Sequence, residues 1–203
     1  MDSSIWDKMS QDFPKEQCYF IDLGFTNNDN VAGIPCDGKS IFITHSLGTL
    51  WALKNHSDNM AGLIAINGFT NFTNFVSERT LRTMQRRLKR NPLNQMQEFW
   101  DICGFDNKSQ EKLDQNFNID KLHIGLEWLI DWDASKIFNG LNIPSLSLIG
   151  KKDRLLLPLM MEKEWPMTNI KTIKDGGHML PLSHPKWCVE KIREFTSEYK
   201  LER

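Results

Sequence analysis

A serine, an aspartate and a histidine stand in this sequence at three places where an apolar strand pattern gives way to a turn. Ile41-Phe42-Ile43-Thr44-His45 runs straight into Ser46, and Leu47-Gly48-Thr49-Leu50 opens a helical pattern behind it. Ile143 to Ile149 is a second apolar run, followed by Gly150-Lys151-Lys152-Asp153. Asp175-Gly176-Gly177-His178 follows a third. A serine hydroxyl is a weak nucleophile until a base takes its proton, and an imidazole serves as that base when an acid holds its tautomer. Ser46 as nucleophile, His178 as general base and Asp153 as orienting acid would perform acyl transfer through a covalent acyl-serine.

The stretch around Ser46 approximates the nucleophile-elbow pattern G-x-S-x-G, in which a strained strand-to-helix turn lifts the hydroxyl above a sheet. Thr44 replaces the first glycine. Crowding between strand and helix is expected to require small residues at 44 and 48. Leu47 N–H, at the helix N-terminus, is the expected oxyanion donor. Serine is also a favoured helix N-cap, so the pentapeptide alone leaves that reading open. The order Ser, Asp, His and the placement of each after a strand narrow it, because parallel sheets carry their sites at the C-terminal strand ends. The two glycines before His178 let the backbone turn over the strand tips.

The elements that must position these residues are short and apolar. Strand signals fall at Cys18–Asp22, Ser40–Thr44, Gly62–Asn67, Pro144–Ile149 and Ile170–Ile173, without the alternation of a half-exposed sheet. Helical patterns lie at Leu47–Asn55 and Pro185–Tyr199, the latter with Cys188, Ile192 and Phe195 on one face. This alternation predicts an α/β core with a mainly parallel sheet, from residues 1–68 and 141–203. Residues 69–140 lose the strand signals and predict a helical lid inserted before the acid-bearing strand. There Leu81, Met84 and Leu88 share one helix face, and Leu126, Trp128, Leu129 and Trp132 form a second apolar cluster.

Other candidate groups have simpler readings. His45 is expected to pack beside the elbow, and His56 to sit at a helix end where a cation suits the dipole. His123 has no obvious partner. His184, before Pro185, is the rival base, but it lacks the Gly-Gly approach. Glu78 to Arg90 carries six basic residues and one acid, with Arg79, Arg82, Arg86 and Arg90 at spacings of three and four. Such a stripe is either a solvated helix face or a dock for an acidic partner or a phosphate-bearing substrate.

Composition sets the outer bounds. The 203 residues carry a net charge of −1, which makes no electrostatic case for nucleic acid. The four cysteines (Cys18, Cys36, Cys103, Cys188) are scattered without ligand spacing, so reduced thiols and no metal are expected. The N-terminus lacks signal-peptide features, and no apolar run approaches the ~20 residues that span a bilayer. A cytoplasmic protein without membrane partner or cofactor is the resulting expectation.

With these motifs placed, the chain resembles the biotin-pathway esterases of the α/β-hydrolase superfamily, which cleave pimeloyl-acyl-carrier-protein methyl ester. The resemblance spans SIW (3–6 region), YFIDLGF (19–25), ITHSLGTLWAL (43–53), GLEWLIDWDAS (125–135), IPSLSLIGKKDR (143–154) with Leu155-Leu156-Leu157-Pro158, and GGHMLPLSHP (176–185). The elbow and Gly-Gly-His mark only the superfamily; Gly125 to Asp133 is more particular to the esterases. The resemblance implies acylation of Ser46 by the pimeloyl chain with loss of methanol, and then release by water. It implies an acyl-carrier protein as partner and a lid that lines an apolar channel, with Phe99, Trp100 and Cys103 near the channel positions. The family's carrier-contacting lid arginines have no residue-by-residue match here, and Arg79 to Arg90 would serve that purpose from another place.

One departure from the family stands out. Its members begin with strands leading to a His-Gly loop whose N–H completes the oxyanion hole, and this chain has no such segment ahead of Ser3-Ser4-Ile5-Trp6. The first strands of the fold are expected to be missing, leaving a gap between Cys18–Asp22 and Ser40–Thr44. Met1 is then expected to be an internal methionine of a longer reading frame, or the chain a shortened relative. Three functions follow as alternatives: the carrier-protein esterase, a general carboxylesterase of small substrates, and an inactive relative that only binds.

Overall fold

The computed structural model describes residues 3–26, 38–105, 117–165 and 169–201. Four strands, β1 (Ser40–His45), β2 (Met60–Ile66), β3 (Ser145–Gly150) and β4 (Asn169–Ile173), form one sheet in that order, every neighbouring pair parallel. Its helices are α1 (Asp7–Ser10), α2 (Leu47–His56), α3 (Glu78–Arg90), α4 (Pro92–Cys103), α5 (Ile119–Asp131), α6 (Ser135–Gly140), α7 (Pro158–Glu164), α8 (Leu180–Ser183) and α9 (Pro185–Glu198).

The central strands β2 and β3 lack alternation because both their faces are covered. Leu63 and Ala65 of β2 enter one core with Leu50, Leu53, Phe69, Leu81, Phe138 and Trp165. Ile64 and Ile66 enter the other with Met9, Leu146, Leu148, Cys188, Ile192 and Phe195. The apolar face of α9 thus covers the side of the sheet opposite α2.

Between β2 and β3 the described residues form helices joined by loops, with no strand among them. Ser77 accepts a hydrogen bond from Thr80 N–H to open α3, and Asn91 accepts from Asn94 N–H to open α4. Gly104, at φ 87°, closes α4 in the left-handed conformation that glycine tolerates. α3 packs on α4 and α5. Leu81 and Leu88 are buried on its inner face, and Trp128 stacks on Trp132 at 4.8 Å.

One expected strand does not form. Cys18–Asp22 is extended but unpaired, and β1, not a central strand, ends the sheet among the described residues. An extended segment becomes a strand only against a hydrogen-bonding neighbour. Here Cys18–Leu23 and Ser40–Thr44 line the same cavity and stand on its walls without pairing. Among the described residues, no strand lies between them.

Candidate active site

Ser46 joins β1 to α2 with φ 52° and ψ −126°, a conformation that costs a non-glycine residue about 1–3 kcal/mol. Its side chain makes no capping bond to α2, so the simple N-cap reading has no support in the geometry. Ser46 N–H donates to Ile66 O at 3.2 Å, which ties the turn to the end of β2. Leu47 N–H begins α2 and belongs to the amides a helix leaves without an intrahelical acceptor.

The expected crowding at the elbow is distributed differently. Thr44 is buried, and its hydroxyl lies 2.8 Å from that of Thr49 and 3.2 Å from Ile64 O. A Cβ on Gly48 would meet no heavy atom within 4 Å, because that residue faces the cavity. The close approach falls instead at Gly68, where a Cβ would lie 2.1 Å from Thr49 Oγ1.

His178 Nε2 lies 3.1 Å from Ser46 Oγ, and His178 Nδ1 lies 2.8 Å from Asp153 Oδ2. The second oxygen of Asp153 accepts from Leu155 N–H and Leu156 N–H, both at 2.8 Å. Asp153 and His178 are 4% and 1% exposed. A carboxylate so bonded can orient the imidazole and stabilise its protonated form. The three residues are held by turns and loops after β1, β3 and β4, at the C-terminal end of the one parallel sheet.

Ser46 opens on a cavity of about 1700 Å³ that also takes in the space between Cys18–Leu23 and Ser40–Thr44 and reaches Ile192 and Thr196 of α9. Its walls include Phe69, Phe75 and Val76 beyond β2, Leu81, Met84 and Leu88 from α3, and Leu126 and Leu129 from α5. From α4, Phe99 and Trp100 line it, along with Gln95 and Met96. Cys103 lies off that wall, packed with Ile5 and Met179. Burial pushes its thiol well above the ordinary range.

Arg79, Arg82, Arg86 and Arg90 are exposed on the outer side of α3. Arg82 pairs with Glu78 at 3.1 Å, and Arg86 donates to Thr83 Oγ1 at 2.8 Å. The helix thus lines the cavity with one face and presents arginines on the other.

The remaining histidines are placed as follows. His184 lies at the start of α9 beside Ser183 Oγ at 2.9 Å and Asp175 at 3.6 Å. His56 rests 4.9 Å from the Trp51 ring, and burial lowers its pKa, which opposes the cationic helix-end role expected of it. His123 does have a partner, Glu127, at 3.5 Å. His45 and Asn67, by residue type and spacing only a packing residue and a strand end, are both bonded to the His178 backbone. A polar residue followed by glycine after an apolar strand was the available signal for Asn67. Among the described residues no cluster suits a metal ion, and no helix is long and apolar enough to cross a membrane.

No protein-family model matches the chain, and no curated protein matches it. Solved structures do. An esterase from Thermogutta terrifontis superposes with a TM-score of 0.77 at 20% identity, over 98% of this chain and 86% of that one. An esterase from Exiguobacterium antarcticum gives 0.78 at 14% identity, over 97% and 88%. The enol-lactonase from Burkholderia xenovorans gives 0.64 at 13%, over 79% and 66%. The chain has the α/β-hydrolase fold. At these identities the likeness extends to the architecture, and the chemistry has to be argued from the site.

Proposed function

We propose that the protein is a serine carboxylesterase. The observation that carries this reading is the continuous path Ser46–His178–Asp153, with contacts of 3.1 and 2.8 Å, at the wall of a large apolar cavity. That the solved structures of similar fold include proteins named esterases is in keeping with it.

In this mechanism Ser46 Oγ attacks the ester carbonyl while His178 Nε2 takes its proton. Leu47 N–H faces the negative charge that develops on the carbonyl oxygen. The tetrahedral intermediate collapses, His178 returns the proton to the leaving alcohol, and an acyl-Ser46 remains. Water then attacks, its proton passing to His178 and on to Ser46 as the carboxylic acid leaves. Asp153 stays ionised and stabilises the imidazolium in both halves.

The finer reading is the methyl ester of pimeloyl-acyl-carrier protein, in biotin biosynthesis. Two features support it: an apolar cavity with room for an extended acyl chain, and the exposed arginines on the helix that forms part of its wall. An acidic carrier would meet Arg79, Arg82, Arg86 and Arg90 while its acyl group entered beside α3.

Labelling with a fluorophosphonate probe tests the esterase reading. The expected result is one covalent adduct, lost in Ser46→Ala; folded wild-type protein that takes no label overturns it and favours a binding role. For the finer reading, the wild-type gene should restore growth without biotin to a strain lacking its own esterase, and the Ser46→Ala gene should not. Turnover of short aryl esters without such rescue would leave a general carboxylesterase.

A further inference from the structure

We infer that Asn67 and His45 are positioning residues for His178, and that the Asn67 side chain joins the acid-bearing loop to the base-bearing loop. The inference rests on the esterase reading of the same site. Asn67 follows β2, is fully buried, and has φ 41°, in the left-handed region that asparagine enters more readily than most residues. Its N–H donates to Leu148 O at 2.9 Å, which fixes it against β3.

The two ends of its amide then face different loops. Oδ1 accepts from Gly150 N–H at 3.0 Å, at the root of the loop that carries Asp153. Nδ2 donates to Gly177 O at 2.9 Å and to His178 O at 2.8 Å. His45 approaches the same carbonyl from the elbow, with Nε2 at 2.9 Å from His178 O. Because a carbonyl only accepts, Nε2 must carry the proton. The His45 ring centroid is 4.9 Å from that of His178. Burial holds His45 neutral, with a pKa of about 3.

One backbone oxygen thus receives two buried side-chain donors, one from the last residue of β1 and one from the turn that follows β2. This matters because the His178 ring must meet Ser46 and Asp153 together. A displacement of about 1 Å in such a group can cost on the order of 10²-fold in rate. Both residues act through the His178 main chain, so they position the base and take no proton themselves.

Asn67→Asp keeps the shape and the acceptor for Gly150 N–H but removes both donors to the base loop. His45→Leu removes the other donor, and His45→Gln restores an amide donor of similar reach. The measurements, at pH 8, are the rate of Ser46 labelling by fluorophosphonate, kcat and KM on aryl esters, and the downfield NMR resonance of the proton between His178 and Asp153. The expected result is labelling and kcat reduced about 10- to 100-fold in Asn67→Asp and His45→Leu, with KM within about twofold. His45→Gln should recover most of the loss, and Asn67→Asp should lose the downfield resonance.

Wild-type rates in folded Asn67→Asp and His45→Leu would overturn the inference, as would His45→Gln no better than His45→Leu. If Asn67→Asp does not fold, the two His45 variants decide. If wild-type protein takes no label, the esterase reading fails, and the resonance still decides the positioning role: kept in Asn67→Asp, it overturns it; lost, it supports it.

Discussion

A Cβ on Gly150 would lie 2.5 Å from the Gly176 carbonyl oxygen. The acid-bearing and base-bearing loops therefore touch backbone to backbone, and Lys152 N–H donates to Gly176 O at 2.8 Å beside that contact. The approach leaves no room for a side chain, and backbone cannot yield as a side-chain tip would. Gly150→Ala should push the loops apart. We expect a loss of about 1–3 kcal/mol in stability by overpacking. Esterase activity should fall more than the melting temperature explains, which thermal melting and ester kinetics on one preparation will measure.

Ser46 should show the opposite relation between activity and stability. Its φ of 52° is uncomfortable for any residue with a Cβ. Ser46→Gly and Ser46→Ala should both abolish fluorophosphonate labelling. Ser46→Gly should nevertheless be the more stable of the two, by about 1 kcal/mol, through release of that strain. Denaturant midpoints that rank them the other way would count against a strained elbow.

His45 gives the fold an acid sensitivity. Its pKa falls from an ordinary 6.5 to about 3, chiefly because burial penalises the charged ring. Between those values the unfolded chain binds a proton that the folded chain does not. Stability from this group is complete above about pH 6.5 and declines as pH falls toward 3. His45→Gln should flatten that part of the stability profile, measured by urea unfolding from pH 4 to 8.

Met84 of α3 is half-buried on the cavity wall opposite the arginine stripe. Met84→Trp should fill part of the space for a long acyl chain. We expect kcat/KM for long-chain esters to fall by about tenfold or more, in line with ~1–3 kcal/mol per methylene excluded. Acetyl esters should be little affected. Equal losses on both would mean that the chain does not lie along α3.

Arg82→Glu with Arg86→Glu should separate carrier docking from chemistry. If the stripe meets an acidic carrier, KM for the carrier-bound ester should rise several-fold, and the wild-type KM should rise with salt. Turnover of a small methyl ester should not change. No difference between the two substrates would reduce the stripe to a solvated helix face.

Much of this protein could be read locally. The four apolar runs that became β1 to β4, the α9 face of Cys188, Ile192 and Phe195, and the order of Ser46, Asp153 and His178 rest on neighbours along the chain. Period and turn chemistry are properties of short segments, so they survive without knowledge of the fold. Cys18–Asp22 has the same local pattern and forms no strand, because pairing requires a partner that local sequence does not reveal. The role of His45 is hidden for a related reason: its bond to His178 O links positions 133 residues apart.

The first landmark, a strained serine followed by a helix, was determined by the sequence from Ile41 to Leu50. What only the tertiary structure decided is how the base is held before it. Parallel strands bring the ends of β1, β2, β3 and β4 to one edge, and there the Asn67 amide meets Gly150 N–H, Gly177 O and His178 O together. Hydrogen bonds between distant backbone groups leave no periodicity in a sequence, so that arrangement became visible only once the chain was folded.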